Sequence, residues 1–134
     1  MVTAEIVYQG ELRTKITHKA SGSSFNTDAP VDNHGKGESI SPTDMLAAAL
    51  GACMQTIIGI YCQERNIPFS HAKFNVNKIM ASGPRRIAAL EVNIDLTGNS
   101  WNEKQRKGIV AAAEACPVAK SLHPDIQISF AYSF

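Results

Sequence analysis

The stretch SPTDMLAAALGACMQTIIGIYCQER, residues 41–65, predicts a single long helix. Ser41 can cap the first backbone amides, Pro42 suits the first helical position, and Asp44 favours the positive end of the helix dipole. The helix is expected to run to the end of this stretch and to stop before Pro68, because the residue before a proline disfavours helical backbone.

The centre of this helix is apolar enough to raise the question of a membrane span. From Met45 to Cys62 it has 18 residues without a formal charge, which is close to the length that crosses a bilayer. However, the segment is rich in Ala and Gly, carries Gln55 and Thr56, and begins at a cap typical of soluble helices. We therefore expect a helix buried inside a globular fold, with no membrane partner.

The rest of the chain predicts strands and one further helix. Alternating apolar and polar positions indicate two strands around Gly10, in residues 5–18, and a third strand in residues 21–27. The same pattern indicates an antiparallel hairpin in residues 72–96 and a final strand in residues 126–134. Asn99-Ser100 is expected to begin a second helix, near Trp101 to Glu114. This helix is interrupted at Cys116-Pro117 and followed by a short helical turn. This order of elements predicts an α+β fold, with residues 1–134 forming a single domain.

Composition excludes several classes of function. The 134 residues are 44% hydrophobic and 19% charged, which suits a globular core, and a net charge of +1 argues against a nucleic-acid partner. The first residues lack the pattern of a secretory signal, so a cytoplasmic location is expected. The three cysteines form no CxxC pair, and no His/Cys pair, including His34 and His123, has metal-ligand spacing. We expect neither a metal nor a cofactor.

The three cysteines differ in their surroundings. Cys53 lies 11 residues past Pro42, about 16 Å from the start of the helix, so the helix dipole cannot activate its thiol. Cys62, nine residues further on, falls on the opposite face and is expected to pack in the core. Cys116 precedes Pro117 and can cap the following turn, which would favour a thiolate; the alternative is a buried cysteine at a helix break.

A polar loop at residues 28–40 is the candidate source of a charge for the Cys53 thiol. It holds His34 and the run Gly35-Lys36-Gly37-Glu38, and it is too long to be a simple turn. Two readings remain open: a solvated loop, or a flexible segment that brings a cation to a buried thiol.

Two segments together resemble one protein family. Residues 41–53, SPTDMLAAALGAC, resemble the first cysteine helix of the OsmC/Ohr proteins, and residues 115–120, ACPVAK, resemble their second cysteine motif. The resemblance implies an OsmC-like fold with antiparallel sheets, a long central buried helix and an intertwined homodimer. It also implies that Cys53 and Cys116 meet at a site between subunits.

The chain departs from the family pattern at two positions. Thr43 stands where the family has a glutamate, and the acidic residue is Asp44, one step along. In the OsmC branch an arginine follows Phe-Asn-Thr, whereas here Asp28 follows that tripeptide, and Arg13 is a loose match to the Ohr arginine. The candidates for thiol-activating or site-lining residues are therefore Lys36, Arg13, Glu38, Asp44 and Leu50.

The resemblance implies a thiol-dependent peroxidase for organic hydroperoxides. Cys53 would attack the peroxide and become a sulfenic acid, Cys116 would close a disulfide with it, and a small dithiol or dithiol protein would reduce that disulfide. The alternative is a non-catalytic binding protein on the same fold, with an apolar pocket at the dimer interface and cysteines that only pack.

Overall fold

A computed structural model describes all residues, 1–134, and shows an α+β architecture. The chain divides into two compact units, residues 1–46 and residues 47–134. The expected α+β class is confirmed, and the expectation of a single domain stays a prediction.

The first unit contains a three-stranded antiparallel sheet and a loop. The strands are β1 (Ala4–Gly10), β2 (Arg13–His18) and β3 (Ser24–Asp28), with β2 in the middle. Leu12, expected in the second strand, instead lies in the turn before it with a positive φ of 64°. The loop that follows β3 contains a short 3-10 helix, Val31–Asn33.

Helix α1 (Pro42–Glu64) follows the loop and begins and ends close to the predicted positions. The Ser41 hydroxyl accepts the Asp44 amide at 3.0 Å, and the Asp44 carboxylate accepts the Ser41 amide at 3.2 Å, so both ends of the cap are satisfied. Asn66 ends the helix in a left-handed conformation with φ of 54°. The buried residues of α1 lie at helical spacing on one face: Ala47, Leu50, Gly51, Met54, Ile58 and Cys62.

The second unit holds a three-stranded sheet of β4 (Lys73–Ala81), β5 (Arg86–Asp95) and β6 (Gln127–Ser133), in that order. The hairpin of β4 and β5 is antiparallel as predicted, whereas β6 runs parallel to β5. The expectation of wholly antiparallel sheets is wrong for this pair, because the chain returns through two helices before β6 enters. A Cβ on Gly51 would lie 3.1 Å from Val76, so glycine permits the close approach of α1 to β4.

Two helices connect β5 to β6: α2 (Glu103–Glu114) and α3 (Pro117–Ser121). The predicted end of α2 at Glu114 is confirmed. The predicted start at Asn99-Ser100 is wrong, because Asn102 is the cap and exchanges hydrogen bonds with Gln105. Asn99 is buried, where its side chain accepts two backbone amides and donates to two carbonyls around the start of β4 and the end of β5. Its polar atoms therefore join two loops instead of starting a helix.

By length and composition α1 could cross a membrane, and it is the one helix of the chain that meets this test. The core helix of a globular protein meets the same test, and α1 buries six of its residues against the rest of the chain.

The opposite side of α1 generates a prediction about assembly. It exposes small and apolar residues, among them Ala48, Ala52, Thr56 and Ile60, which a second copy of the chain would cover. We expect light scattering at micromolar concentration to give twice the 14.5 kDa mass of one chain. Ala52→Arg should shift the mass towards the monomer, because a long charged side chain would be buried in the contact.

Gln63→Arg is the matched control for this change. Gln63 is exposed near the end of the same helix, so its replacement should leave the mass unchanged. A stable monomer of the unaltered chain at micromolar concentration would contradict the predicted homodimer.

Candidate active site

Helix α1 holds two cysteines in different environments. Cys53 is half-buried, whereas Cys62 is 1% exposed and lies on the buried face of the helix. Burial raises the pKa of the Cys62 thiol, so this group stays protonated and apolar at neutral pH. The expectation that Cys62 packs in the core is confirmed.

Cys116 lies in the break between α2 and α3 and is completely buried. Its backbone is extended, with φ of −62° and ψ of 151°, and Pro117 occupies the first position of α3. The Cys116 Sγ accepts a hydrogen bond from the Ala119 amide at 3.4 Å, so the thiol caps α3 as the sequence predicts.

Cys53 is a neighbour of Cys116, close enough to act on the pKa of the Cys116 thiol. Burial raises the pKa of the Cys116 thiol, the Ala119 amide opposes this shift, and the hydrogen bond to Cys53 and the charge of Cys53 raise it further. The Ala119 amide thus acts in the direction predicted for the cap, but loss of water outweighs it, and the pKa of Cys116 is raised overall as expected for a buried cysteine at a helix break. The Cys116 thiol therefore keeps its proton at neutral pH.

The candidate cation Arg13 is held by carboxylates within the first unit. Its guanidinium donates to both carboxylate oxygens of Asp28, at 2.6 and 2.8 Å, and to Glu38 at 3.2 Å. Arg13 lowers the pKa of Asp28, with help from the Glu38 and Ser39 amides, and Asp28 raises the pKa of Arg13. Asp28 is 1% exposed, so this pair anchors both ends of the loop that follows β3.

Lys36, the second candidate cation, is also paired. Its ammonium lies 2.6 Å from the Glu11 carboxylate, which raises the pKa of Lys36 and lowers that of Glu11. Arg13 and Lys36 line one polar cavity of about 290 Å³, together with Gln9, Gly10, Glu11 and Asn26. Both cations therefore have carboxylate partners in their own unit, and an activating role for either stays a prediction.

The two remaining candidates, Asp44 and Leu50, both contribute to the structure of helix α1. The Asp44 carboxylate completes the cap of α1, and Leu50 is 0% exposed beside Met54 and Ile58 on the buried face of that helix. Their roles in a site stay predictions. No group of three or more His, Cys, Asp or Glu side chains is arranged to hold a metal ion.

One polar pair near Cys116 is absent from the sequence-based prediction. The Tyr132 hydroxyl on β6 donates to the Glu114 carboxylate at 3.0 Å, two residues before Cys116. Burial, then the charge of Glu114, raises the pKa of Tyr132. The alternation of β6 indicates that Tyr132 faces inwards, but no pattern in the sequence identifies its partner.

Comparisons with known proteins identify the family and agree with the fold. A model of the OsmC-like protein family matches residues 35–131. A solved structure from Psychrobacter arcticus 273-4, named for an osmotic stress induced and detoxification response, is 43% identical with a TM-score of 0.93, and the match covers 99% of this chain and 96% of that chain. No curated protein matches the chain.

Two more distant structures share the fold. The organic hydroperoxide resistance protein OsmC of Legionella pneumophila is 16% identical with a TM-score of 0.78, over 100% of this chain and 98% of that chain. The organic hydroperoxide resistance protein OhrB of Bacillus subtilis is 18% identical with a TM-score of 0.67, over 98% of both chains.

The buried Asp28 carboxylate makes stability depend on pH. Because its pKa is lowered on folding, its contribution is fully present above the ordinary value of about 3.9 and is lost as pH falls through the folded value. Asp28→Asn should lower the melting temperature at pH 7, and the difference from the unaltered protein should shrink below about pH 4. Circular dichroism melts from pH 7 to pH 2 measure this.

Glu11→Gln serves as the control, since it removes an exposed ion pair and should change the melting temperature little. An Asp28→Asn protein that melts with the unaltered protein at pH 7 would show that the Arg13–Asp28 pair does not anchor the loop.

Proposed function

The chain belongs to the OsmC-like protein family, and on that premise we propose that it is a thiol-dependent peroxidase that reduces organic hydroperoxides. The observation that carries the proposal is the proximity of the Cys53 and Cys116 thiols. The chain shares its fold with two proteins named for organic hydroperoxide resistance, and this supports organic hydroperoxides as the class of substrate.

Cys53 is the attacking thiol. It is half-buried, whereas its partner is completely buried and retains its proton. The Cys53 thiolate attacks the outer oxygen of the hydroperoxide, the O–O bond breaks, and the alkoxide leaves and takes up a proton to become an alcohol. The sulfur is oxidised by two electrons to a sulfenic acid.

Cys116 resolves this intermediate. Its sulfur attacks the Cys53 sulfenic sulfur, an S–S bond forms, and the hydroxyl leaves with the Cys116 proton as water. An external dithiol then reduces the disulfide: its two thiols become a disulfide, and both cysteines recover their protons. The proximity of the two cysteines in the reduced protein supports this order.

Apolar neighbours of Cys53 favour an organic peroxide over hydrogen peroxide. Leu46 and Ile57 are half-buried, at seven and four residues along α1 from Cys53. Leu50, three residues before Cys53, is completely buried beneath this apolar surface. An alkyl group would exclude water from such a surface, which a peroxide without one cannot do.

A binding protein without catalysis is the second candidate. One observation favours it: both candidate cations, Arg13 and Lys36, already neutralise carboxylates. In that case the cysteines pack together and the apolar site holds a small ligand. A cumene hydroperoxide assay with a dithiol distinguishes the two functions, since a binding protein would not consume peroxide. The dithiol reductant, the homodimer and a cytoplasmic location stay predictions.

Replacement of single cysteines tests which sulfur attacks. Cys53→Ser should reduce peroxide consumption to the uncatalysed rate, because a serine hydroxyl is not ionised at neutral pH. Cys62→Ser is the matched control on the buried face of the same helix and should keep most activity if it folds. The rate of cumene hydroperoxide loss with a dithiol measures both. Robust turnover by Cys53→Ser would end this assignment.

Mass spectrometry after peroxide treatment tests the resolving step. The unaltered protein should lose two hydrogens in a Cys53–Cys116 linkage, whereas Cys116→Ser should gain oxygen atoms on Cys53, because no internal disulfide can form. With excess peroxide the variant should proceed to sulfinic acid, which ordinary dithiols do not reduce. Oxygen addition without a linkage in the unaltered protein would show that Cys116 does not resolve the intermediate.

A further inference from the structure

A groove beside the first half of α2 is a second candidate site, and none of the three cysteines lines it. It has a volume of about 440 Å³ and lies between one face of α2 and the residue that follows β6. The residues that line it are Glu103, Arg106, Lys107, Val110, Ala111 and Phe134. This volume falls within the range of about 300–1,000 Å³ that small-molecule sites occupy.

Arg106 lies in this groove without an anionic partner. Its side chain is half-buried, and its guanidinium carbon lies 4.9 Å from the centre of the Phe134 ring. Its Nε atom is buried and has no hydrogen-bond partner in the protein. By contrast, Arg13 and Arg65 each form an ion pair with a carboxylate. Partial removal of a cation from water costs free energy, which a bound anion would offset.

The side chains of the groove carry one more positive charge than negative charge. Arg106 and Lys107 are cations, and Glu103 is the single carboxylate among them. Glu103 forms no ion pair with either cation, although it lies three and four residues before them on the same helix. An anion of one charge therefore complements the groove, whereas an anion of two charges exceeds that balance.

The other end of the groove is apolar and accessible. Val110 is half-buried and Ala111 is exposed, and both lie one helical turn beyond the two cations. Phe134 is 38% exposed. Its ring is held between Trp101 and Tyr132, at centroid distances of 6.4 and 5.9 Å. An alkyl or aryl group placed on this surface would release water from both partners.

We propose that the groove binds a small apolar monocarboxylate, with its carboxylate on Arg106 and Lys107 and its alkyl or aryl body on the apolar end. The planar guanidinium suits this anion, because two of its N–H groups can donate to both oxygens of one carboxylate. The site goes beyond the proposed peroxidase and does not depend on it, since no cysteine contributes to the groove.

Isothermal titration calorimetry of the full chain tests the site, with octanoate and phenylpropionate as the acyl and aryl probes. At least one of them should bind saturably at one site per chain, and the tighter of the two identifies the body that the groove fits. Octanamide has the same chain as octanoate without a charge. It should bind at least about tenfold more weakly than octanoate, because it forms no charge-assisted hydrogen bonds.

Exchanges of charge on α2 locate the carboxylate of the ligand. Arg106→Gln should weaken binding of the acid roughly tenfold, because it removes the unpaired guanidinium. Glu103→Gln should tighten binding about twofold, because it removes the opposing charge. Lys104→Gln is the matched control: it loses the same charge from the same helix, but Lys104 lines a different cavity. It should change the affinity by less than about twofold.

Two measurements cover the case in which Arg106→Gln does not fold. Ala111 is exposed, so Ala111→Glu should keep the fold, place a carboxylate in the groove and abolish binding of the acid. In the unaltered protein, the NMR resonance of the Arg106 Nε–H group should shift on addition of the acid and stay fixed with octanamide. Trp101, the one tryptophan of the chain, contacts the Phe134 ring and should report binding through its fluorescence.

Absence of binding by both acids at about 10 mM would overturn the proposal, and so would equal affinities of Arg106→Gln and the unaltered protein. Octanamide that binds as tightly as octanoate would show that apolar contact alone fills the groove, which also overturns it. If neither acid binds and Ala111→Glu lowers the mass in light scattering, a second copy of the chain covers the groove instead. Because no peroxide is added, none of these outcomes depends on the peroxidase.

Discussion

Burial of one face of α1 is the constraint on which the candidate site depends. Leu50, Met54 and Ile58 are each 0% exposed, and full burial of such a side chain stabilises the fold by about 1.5–3 kcal/mol. This energy sets the rotation of the helix about its axis. With that rotation set, Cys62 lies in the core and Cys53, half a turn away, lies at its border. A helix rotated by half a turn would exchange the two thiols.

Competition between burial and hydrogen bonding decides the protonation state of the Cys116 thiol. The break between α2 and α3 aims the Ala119 amide at Cys116, which by itself would favour a thiolate. Complete burial removes the water that would solvate the anion, and this effect is larger. Cys116 thus stays protonated inside the core, whereas Cys53 lies half-buried at its border.

The charges of the first unit are arranged for stability of the loop. Asp28, where the OsmC branch carries an arginine, draws Arg13 into a bidentate contact and accepts the Glu38 amide. Such a geometry is strong and directional, and together with the bond to Glu38 it engages three of the five N–H donors of the guanidinium. Arg13 lies directly opposite Asp28 on the neighbouring strand β2, so the carboxylate at this position engages the cation next to it.

The sequence by itself determined the features that depend on neighbouring residues: the bounds and cap of α1, the strands of both sheets, and the capping of α3 by Cys116. Periodicity also separated Cys53 from Cys62, because helical geometry is the same in every context. Tertiary structure decided what depends on distant partners. Asn99 bridges two loops instead of starting α2, β6 runs parallel to β5, Tyr132 binds Glu114, and Cys116 keeps its proton. The direction of β6 follows from the path of the chain through α2 and α3. The other outcomes follow from desolvation and from polar groups that the fold brings together, which local patterns do not encode.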